Sequence, residues 1–177
     1  MGLTPPARVE KALAKPSASS GAQTTARTPS FSRHTNPARS SSVSSMIVSI
    51  GIDIIEVARV RAVLERTPRF VERVFTSAER AYCDGRGATV AAQHYAARFA
   101  AKEAALKALG TGWANGIAWQ DAEVVAQAAG APAIIFHGRA LELFHQRGAT
   151  HAHLSLSHTT EHAIAQVILE RLTPENV

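Results

Sequence analysis

Two short segments constrain this chain most. Gly51-Ile52-Asp53-Ile54-Ile55-Glu56 puts a carboxylate at the end of an apolar strand. Arg98-Phe99-Ala100-Ala101-Lys102-Glu103-Ala104-Ala105-Leu106-Lys107 puts a carboxylate, Glu103, and an ammonium, Lys107, four residues apart on one face of a helix. A fold that joins the two segments can hold a hard cation and a phosphate in one site.

The intervening pattern is mixed. In 47–54, the period-two rule sets Val48, Ile50 and Ile52 on one strand face. Ser49, Gly51 and Asp53 fall on the other, a small and polar face with room for a ligand. A helix is expected over 57–65, then a short one from Pro68 to Val74, where proline suits an early position. Thr76-Ser77-Ala78-Glu79 reads as a capping box for a helix starting at Ser77, which the stretch 84–87 breaks. A long helix should run from about Val90 to Leu109 and stop at Gly110. Strands are expected over 122–127, 133–136, 151–157 and 163–168, with a helix over 138–146. This order predicts an α+β domain with a largely antiparallel sheet on one long central helix.

Charge divides the chain in two. Residues 1–45 carry six basic side chains (Arg8, Lys11, Lys15, Arg27, Arg33 and Arg39) against one acid, Glu10. The formal net charge of +5 therefore belongs to that segment, and the remainder is neutral. A nucleic-acid role argued from basicity alone loses its footing. The segment 1–45 is rich in Ser, Thr, Ala, Arg and Pro and is expected to be disordered. Three readings stay open for it: an over-long start or inert tail ahead of Met46, a transit peptide, or a nucleic-acid arm. Ordered structure is expected to begin at Ile47, within a domain spanning 46–177. The single cysteine, Cys83, excludes an internal disulfide and a multi-cysteine zinc site, and makes the cytoplasm the simplest compartment. No apolar run approaches the ~20 residues of a membrane helix.

Each site residue also has a plainer reading. Glu103 and Lys107, with the acid first, are in the favoured order for a surface ion pair. Yet Phe99, Glu103, Leu106 and Gly110 share one stripe, which sets the carboxylate beside apolar groups and gives it need of a partner. Asp53 is open to two readings, a cap on the following helix or a cation ligand. Gly110-Thr111-Gly112 looks like a phosphate loop but follows a helix C-terminus, so Gly110 reads first as a C-cap. His151 and His153 share a strand parity that His158 does not, and with His162 they make no zinc pattern.

These segments, in this order, resemble the 4′-phosphopantetheinyl transferases, and among them the bacterial holo-acyl-carrier-protein synthase subgroup. The likeness rests on Gly51-Ile52-Asp53 and on Phe99-Ala100-Ala101-Lys102-Glu103-Ala104-Ala105-Leu106-Lys107, followed by Ala108-Leu109-Gly110-Thr111-Gly112. It continues in Leu154-Ser155-Leu156-Ser157-His158 before a strand, and so spans 46–172. The resemblance implies transfer of 4′-phosphopantetheine from coenzyme A to a serine of apo-acyl carrier protein, with release of 3′,5′-ADP, in fatty-acid biosynthesis. It implies Asp53, Glu103 and Lys107 as catalytic residues, with Asp53 and Glu103 holding Mg²⁺. Lys107, His158 and Arg98 would contact coenzyme A. It further implies a homotrimer with sites between subunits.

Arg59, Arg61, Arg66, Arg69 and Arg73 fall in a stretch whose only acids are Glu65 and Glu72. Without the resemblance this is a solvated face. With it, Arg59, Arg66, Arg69 and Arg73 would pair with acids of the carrier protein, and Phe70 would add an apolar contact. Two rivals follow: a transferase for polyketide or peptide-synthetase carriers, and a non-catalytic basic carrier-binding module. Neither a nucleic acid nor a membrane is an expected partner.

Overall fold

The computed structural model describes residues 43–112, 116–128 and 130–174. The segment 1–42, and with it most of the expected extension, lies outside them. The elements run β1 (Val43–Glu56), α1 (Val57–Arg66), α2 (Pro68–Val74), α3 (Ser77–Asp84) and α4 (Ala88–Leu109). A single 3-10 turn (Trp119–Asp121) leads to β2 (Ala122–Ala126), β3 (Pro132–Phe136), α5 (Gly138–Gln146), β4 (His151–His158) and β5 (His162–Pro174). The α+β expectation holds. Three strands form an antiparallel sheet in the order β1-β5-β4, and β2 pairs with β3 in an antiparallel ribbon.

Helix α4 lies against β1 and β5, and core packs on more than one side of it. Ala100, Ala101, Ala104, Ala105 and Ala108 are buried. Small side chains on this helix admit other backbones at close range. At Gly51 a β-carbon would stand 1.9 Å from the Ala104 carbonyl oxygen and 2.6 Å from the Ala108 nitrogen, so no larger residue fits. The Ser49 hydroxyl donates to the Ala108 carbonyl at 2.7 Å.

This contact corrects the expected use of β1. The small face of Ser49 and Gly51 is packed on α4, whose backbone occupies the room expected there for a ligand, and only Asp53 at the end of that face reaches open space. The apolar face is outside: Ile50, Ile52 and Ile54 are 53%, 54% and 64% exposed. Val48 departs from the expected parity because the β1–β5 register shifts between Ile47 and Ser49, a bulge that turns Val48 to the core. Strand β1 also begins at Val43, four residues before Ile47, because 43–46 pair with 171–174 of a β5 longer than its apolar run.

The local stops follow the sequence. Thr76 and Glu79 form the reciprocal capping box at α3. Gly110 ends α4 in the left-handed region at φ +68°, with its N–H on the Lys107 carbonyl and that of Thr111 on the Leu106 carbonyl. Helix α4 starts two residues earlier than expected, at Ala88.

One deep contact had no sequence signal. Lys102 and Glu79 are fully buried and paired at 2.9 Å. Lys102 Nζ also donates to the carbonyls of Trp119 at 3.1 Å and Ala122 at 2.6 Å. Glu79 accepts from the Val124 backbone at 2.9 Å. Burial pulls the Lys102 ammonium below the ordinary lysine range, while Glu79 pulls it back. The pair locks the middle of α4 to α3 and to the start of β2. Lys102→Met leaves Glu79 buried without its cation. Urea unfolding should register a loss of about 3–5 kcal/mol, and an unchanged midpoint would contradict this account.

Candidate active site

A cavity of about 290 Å³ opens between β1, α1, α2 and α4. Asp53 of β1 and Glu103 of α4 line it, with Arg59 of α1 and an apolar wall that includes Val60, Phe70 and Phe99. Asp53 does not cap the next helix: Glu56 holds the N-cap position of α1, and no side chain caps it. Instead Lys107 Nζ bonds Asp53 Oδ1 at 2.8 Å and the Ile52 carbonyl at 3.0 Å. The Asp53 side chain is 16% exposed and that of Lys107 is 52% exposed. The fold thus brings Asp53, Glu103 and Lys107 together from segments fifty residues apart.

Two carboxylates beside an open cavity suit a hard cation that keeps several waters. Among the described residues no group of three or more His, Cys, Asp or Glu side chains is placed to hold a metal. An ion held between Asp53 and Glu103 would have to take its other ligands from outside this set of side chains.

Arg98 and His158 lie elsewhere. They line a second cavity of about 180 Å³ with Tyr82, His94, Val125 and Leu156. Arg98 precedes Glu103 by five residues, roughly 140° around an α-helix, so the two point to different faces of α4. Arg98 is 5% exposed, its guanidinium stacks 3.8 Å over the Tyr82 ring, and its Nε has no hydrogen-bond partner among the described residues. Arg98 and His158, expected with Lys107 as coenzyme A contacts, form within this chain a group separate from Asp53 and Lys107. His94 and Tyr82 were missed. The only signal for His94 was its spacing, one helical turn before Arg98.

The basic stretch divides between two helices. Arg59 sits on α1 at the first cavity and Arg66 is exposed at the end of α1, while Arg69 and Arg73 are exposed on α2. Phe70 is half-buried, 5.9 Å from Phe99 and 6.1 Å from Phe75 between ring centroids. Trp119 stacks on Phe99 at 5.0 Å. Phe70 is thus part of the cavity wall as well as of the basic face. Gln120 Nε2 donates to the Glu72 carbonyl at 2.7 Å and fastens the end of α2. Cys83 is buried, and burial pushes its thiol up to about 12, far from a nucleophile's range. His151 and His153 are exposed, His153 bonding Glu170 at 2.7 Å, away from both cavities.

The chain matches the family model of the 4′-phosphopantetheinyl transferase superfamily over residues 49–167. It is 47% identical over 126 residues to a holo-[acyl-carrier-protein] synthase of Koribacter versatilis, covering 71% of this chain and 99% of that one. It is 50% identical over 126 residues to one of Trichlorobacter lovleyi, covering 71% and 98%. Among solved structures, the holo-(acyl-carrier-protein) synthase of Bacillus anthracis in complex with CoA (3′,5′-ADP) superposes with a TM-score of 0.60 at 40% identity, over 71% of this chain and 98% of that one. Fold, motif order and relatives agree: the chain belongs to the 4′-phosphopantetheinyl transferase superfamily, and within it to the holo-[acyl-carrier-protein] synthases.

Proposed function

We propose that this protein moves 4′-phosphopantetheine from coenzyme A to a serine of apo-acyl carrier protein, releasing 3′,5′-ADP, in fatty-acid biosynthesis. The observation that carries the reading is the meeting of Asp53 and Glu103 at one cavity, with Lys107 bonded to Asp53, in a chain of this family.

Asp53 and Glu103 are the residues that would hold Mg²⁺, which supplies positive charge to the pyrophosphate oxygens. Lys107, already on Asp53 Oδ1, lies within reach of the same phosphates and orients them. Glu103 accepts the proton of the incoming serine hydroxyl. The serine oxygen forms a bond to the phosphorus that bears the pantetheine. The bridging P–O bond breaks, and its electron pair leaves on 3′,5′-ADP. Preorganised charge supplies most of the rate.

Arg98 and His158 contact coenzyme A at the second cavity. Their separation from Asp53, Glu103 and Lys107 supports a site shared between subunits, in which one copy's reactive cavity faces another copy's Arg98 and His158. The exposed Ile50, Ile52, Ile54 and Ile164 face of the sheet supports assembly too, since such a face invites burial. We take the assembly to be a homotrimer and the compartment to be the cytoplasm. No helix among the described residues is long and apolar enough to cross a membrane. Arg59, Arg66, Arg69 and Arg73 form the surface for the acidic carrier, with Phe70 beside them.

Intact-mass spectrometry of apo-carrier incubated with this protein, coenzyme A and Mg²⁺ should show the gain of one phosphopantetheinyl group. EDTA should abolish the gain, and Glu103→Ala should slow it about 10²–10⁴-fold. No gain with fatty-acid carriers but gain with polyketide or peptide-synthetase carriers would favour the first rival. Binding of carrier with no gain on any of them would favour a non-catalytic module.

Charge reversal at Arg59 or Arg69 should raise the carrier KM about tenfold and leave the coenzyme A KM unchanged, with the difference shrinking in high salt. An unmoved carrier KM removes the docking assignment. Light scattering should give three times the chain mass, and Ile52→Asp should reduce it to one; a monomeric parent protein would refute the shared site.

A further inference from the structure

The second cavity holds more positive character than the reading above uses. Arg98 and His94 reach it from one face of α4, Tyr82 from α3 and His158 from β4, while Arg86, in the turn after α3, stacks 4.3 Å over the Tyr82 ring. The β2–β3 side contributes Val125, Ala126, Gly130 and Pro132, none of which titrates. The His94 ring meets that of His158 edge-on, with centroids 5.0 Å apart, and that of Tyr82 at 5.7 Å. Burial lowers the proton affinity of His94, and so do its basic neighbours His158, Arg98 and Arg86. Arg98 as a residue is more than nine-tenths buried, and its Nε has no hydrogen-bond partner among the described residues. A buried guanidinium with an unanswered N–H calls for an acceptor, and an anion answers its charge as well.

Coenzyme A offers two kinds of phosphate. Its pyrophosphate takes part in the reaction, at Asp53, Glu103 and Lys107. The remaining group is the 3′-phosphate, a monoester that is dianionic near neutral pH. We propose that His94 is a third contact to this monoester beside Arg98 and His158, and that it takes up a proton from solvent when the dianion binds. The inference rests on the reading that Arg98 and His158 contact coenzyme A.

In the free protein burial, together with the guanidiniums of Arg98 and Arg86, holds His94 neutral at neutral pH. A dianion in the cavity reverses the local potential and favours the imidazolium, which then donates a charge-assisted hydrogen bond. Coenzyme A should therefore bind with net proton uptake and weaken as pH rises. Dephospho-coenzyme A lacks the monoester and should show neither effect.

Isothermal titration calorimetry of the full chain at about pH 7.5, in buffers of different protonation enthalpy, reads the uptake directly, because the phosphate is already dianionic there. We expect up to about one proton taken up per coenzyme A and none per dephospho-coenzyme A. His94→Phe keeps an aromatic ring against Tyr82 and His158 but cannot be protonated. It should abolish the uptake and weaken coenzyme A about tenfold at pH ~6.5, with dephospho-coenzyme A unchanged. His94→Gln gives the same comparison with a smaller neutral group, should the phenylalanine disturb packing. Absence of uptake in the parent protein, or equal uptake in parent and variant, overturns the role of His94. If Arg98→Met leaves coenzyme A affinity intact, the underlying reading of the cavity fails instead.

Discussion

The site depends on one close approach, the backbone of β1 against the backbone of α4 at Gly51. A β-carbon there would overlap the Ala104 carbonyl. Without it, the strand lies close enough for Ser49 to bond the Ala108 carbonyl. Two residues farther along, Asp53 then falls within reach of Lys107. The alanines of α4 are the other half of the contact, since a larger residue at 104 or 108 would hold the strand off. A glycine facing alanines thus sets the spacing at which carboxylate, ammonium and cavity meet.

Helix α4 gives its two lysines opposite surroundings. Lys102 is wholly buried, its ammonium surrounded by Glu79 and two carbonyls. Lys107 keeps its ammonium at the surface against Asp53, where a phosphate can reach it. Buried ion pairs add little net stability over an apolar core, yet losing one partner is costly. The pair at Lys102 therefore acts as a lock on position. It holds α4 at the rotation that sends the adjacent Glu103 to the first cavity, and through the Trp119 carbonyl it reaches the turn whose indole stacks on Phe99.

Local signals read well from sequence. The Thr76–Glu79 capping box, the stop at Gly110 and the helix from Pro68 need only neighbouring residues, and all are present. Face assignments fared worse. Period-two counting separated Ile50 and Ile52 from the glycine face but gave that small face to a ligand, because hydrophobicity alone does not reveal that a helix needs it for close packing. The bulge at Val48 added a parity change that no counting rule carries. For the site, Asp53, Glu103 and Lys107 were legible because the motif holds them in order. That Arg98 sits at a separate cavity from Glu103 was not, since sequence distance along α4 hides the turn between them. Lys102 looked like one more charge in a motif, and only the fold shows its burial.

The order of the strands sets a condition on how the domain forms. Strand β5 is the centre of the three-stranded sheet, flanked by β1 and β4, and it is the last described element of the chain. Val43 finds its partner at Pro174, so the first strand waits for nearly the whole domain before its edge is satisfied. Contacts at such sequence separation slow folding, and an unpaired strand rich in isoleucine is prone to wrong association meanwhile. As the chain emerges in synthesis, β1 must remain unpaired with its Ile50, Ile52 and Ile54 exposed until β5 arrives. The same strand that carries Asp53 is therefore the folding pathway's most vulnerable element.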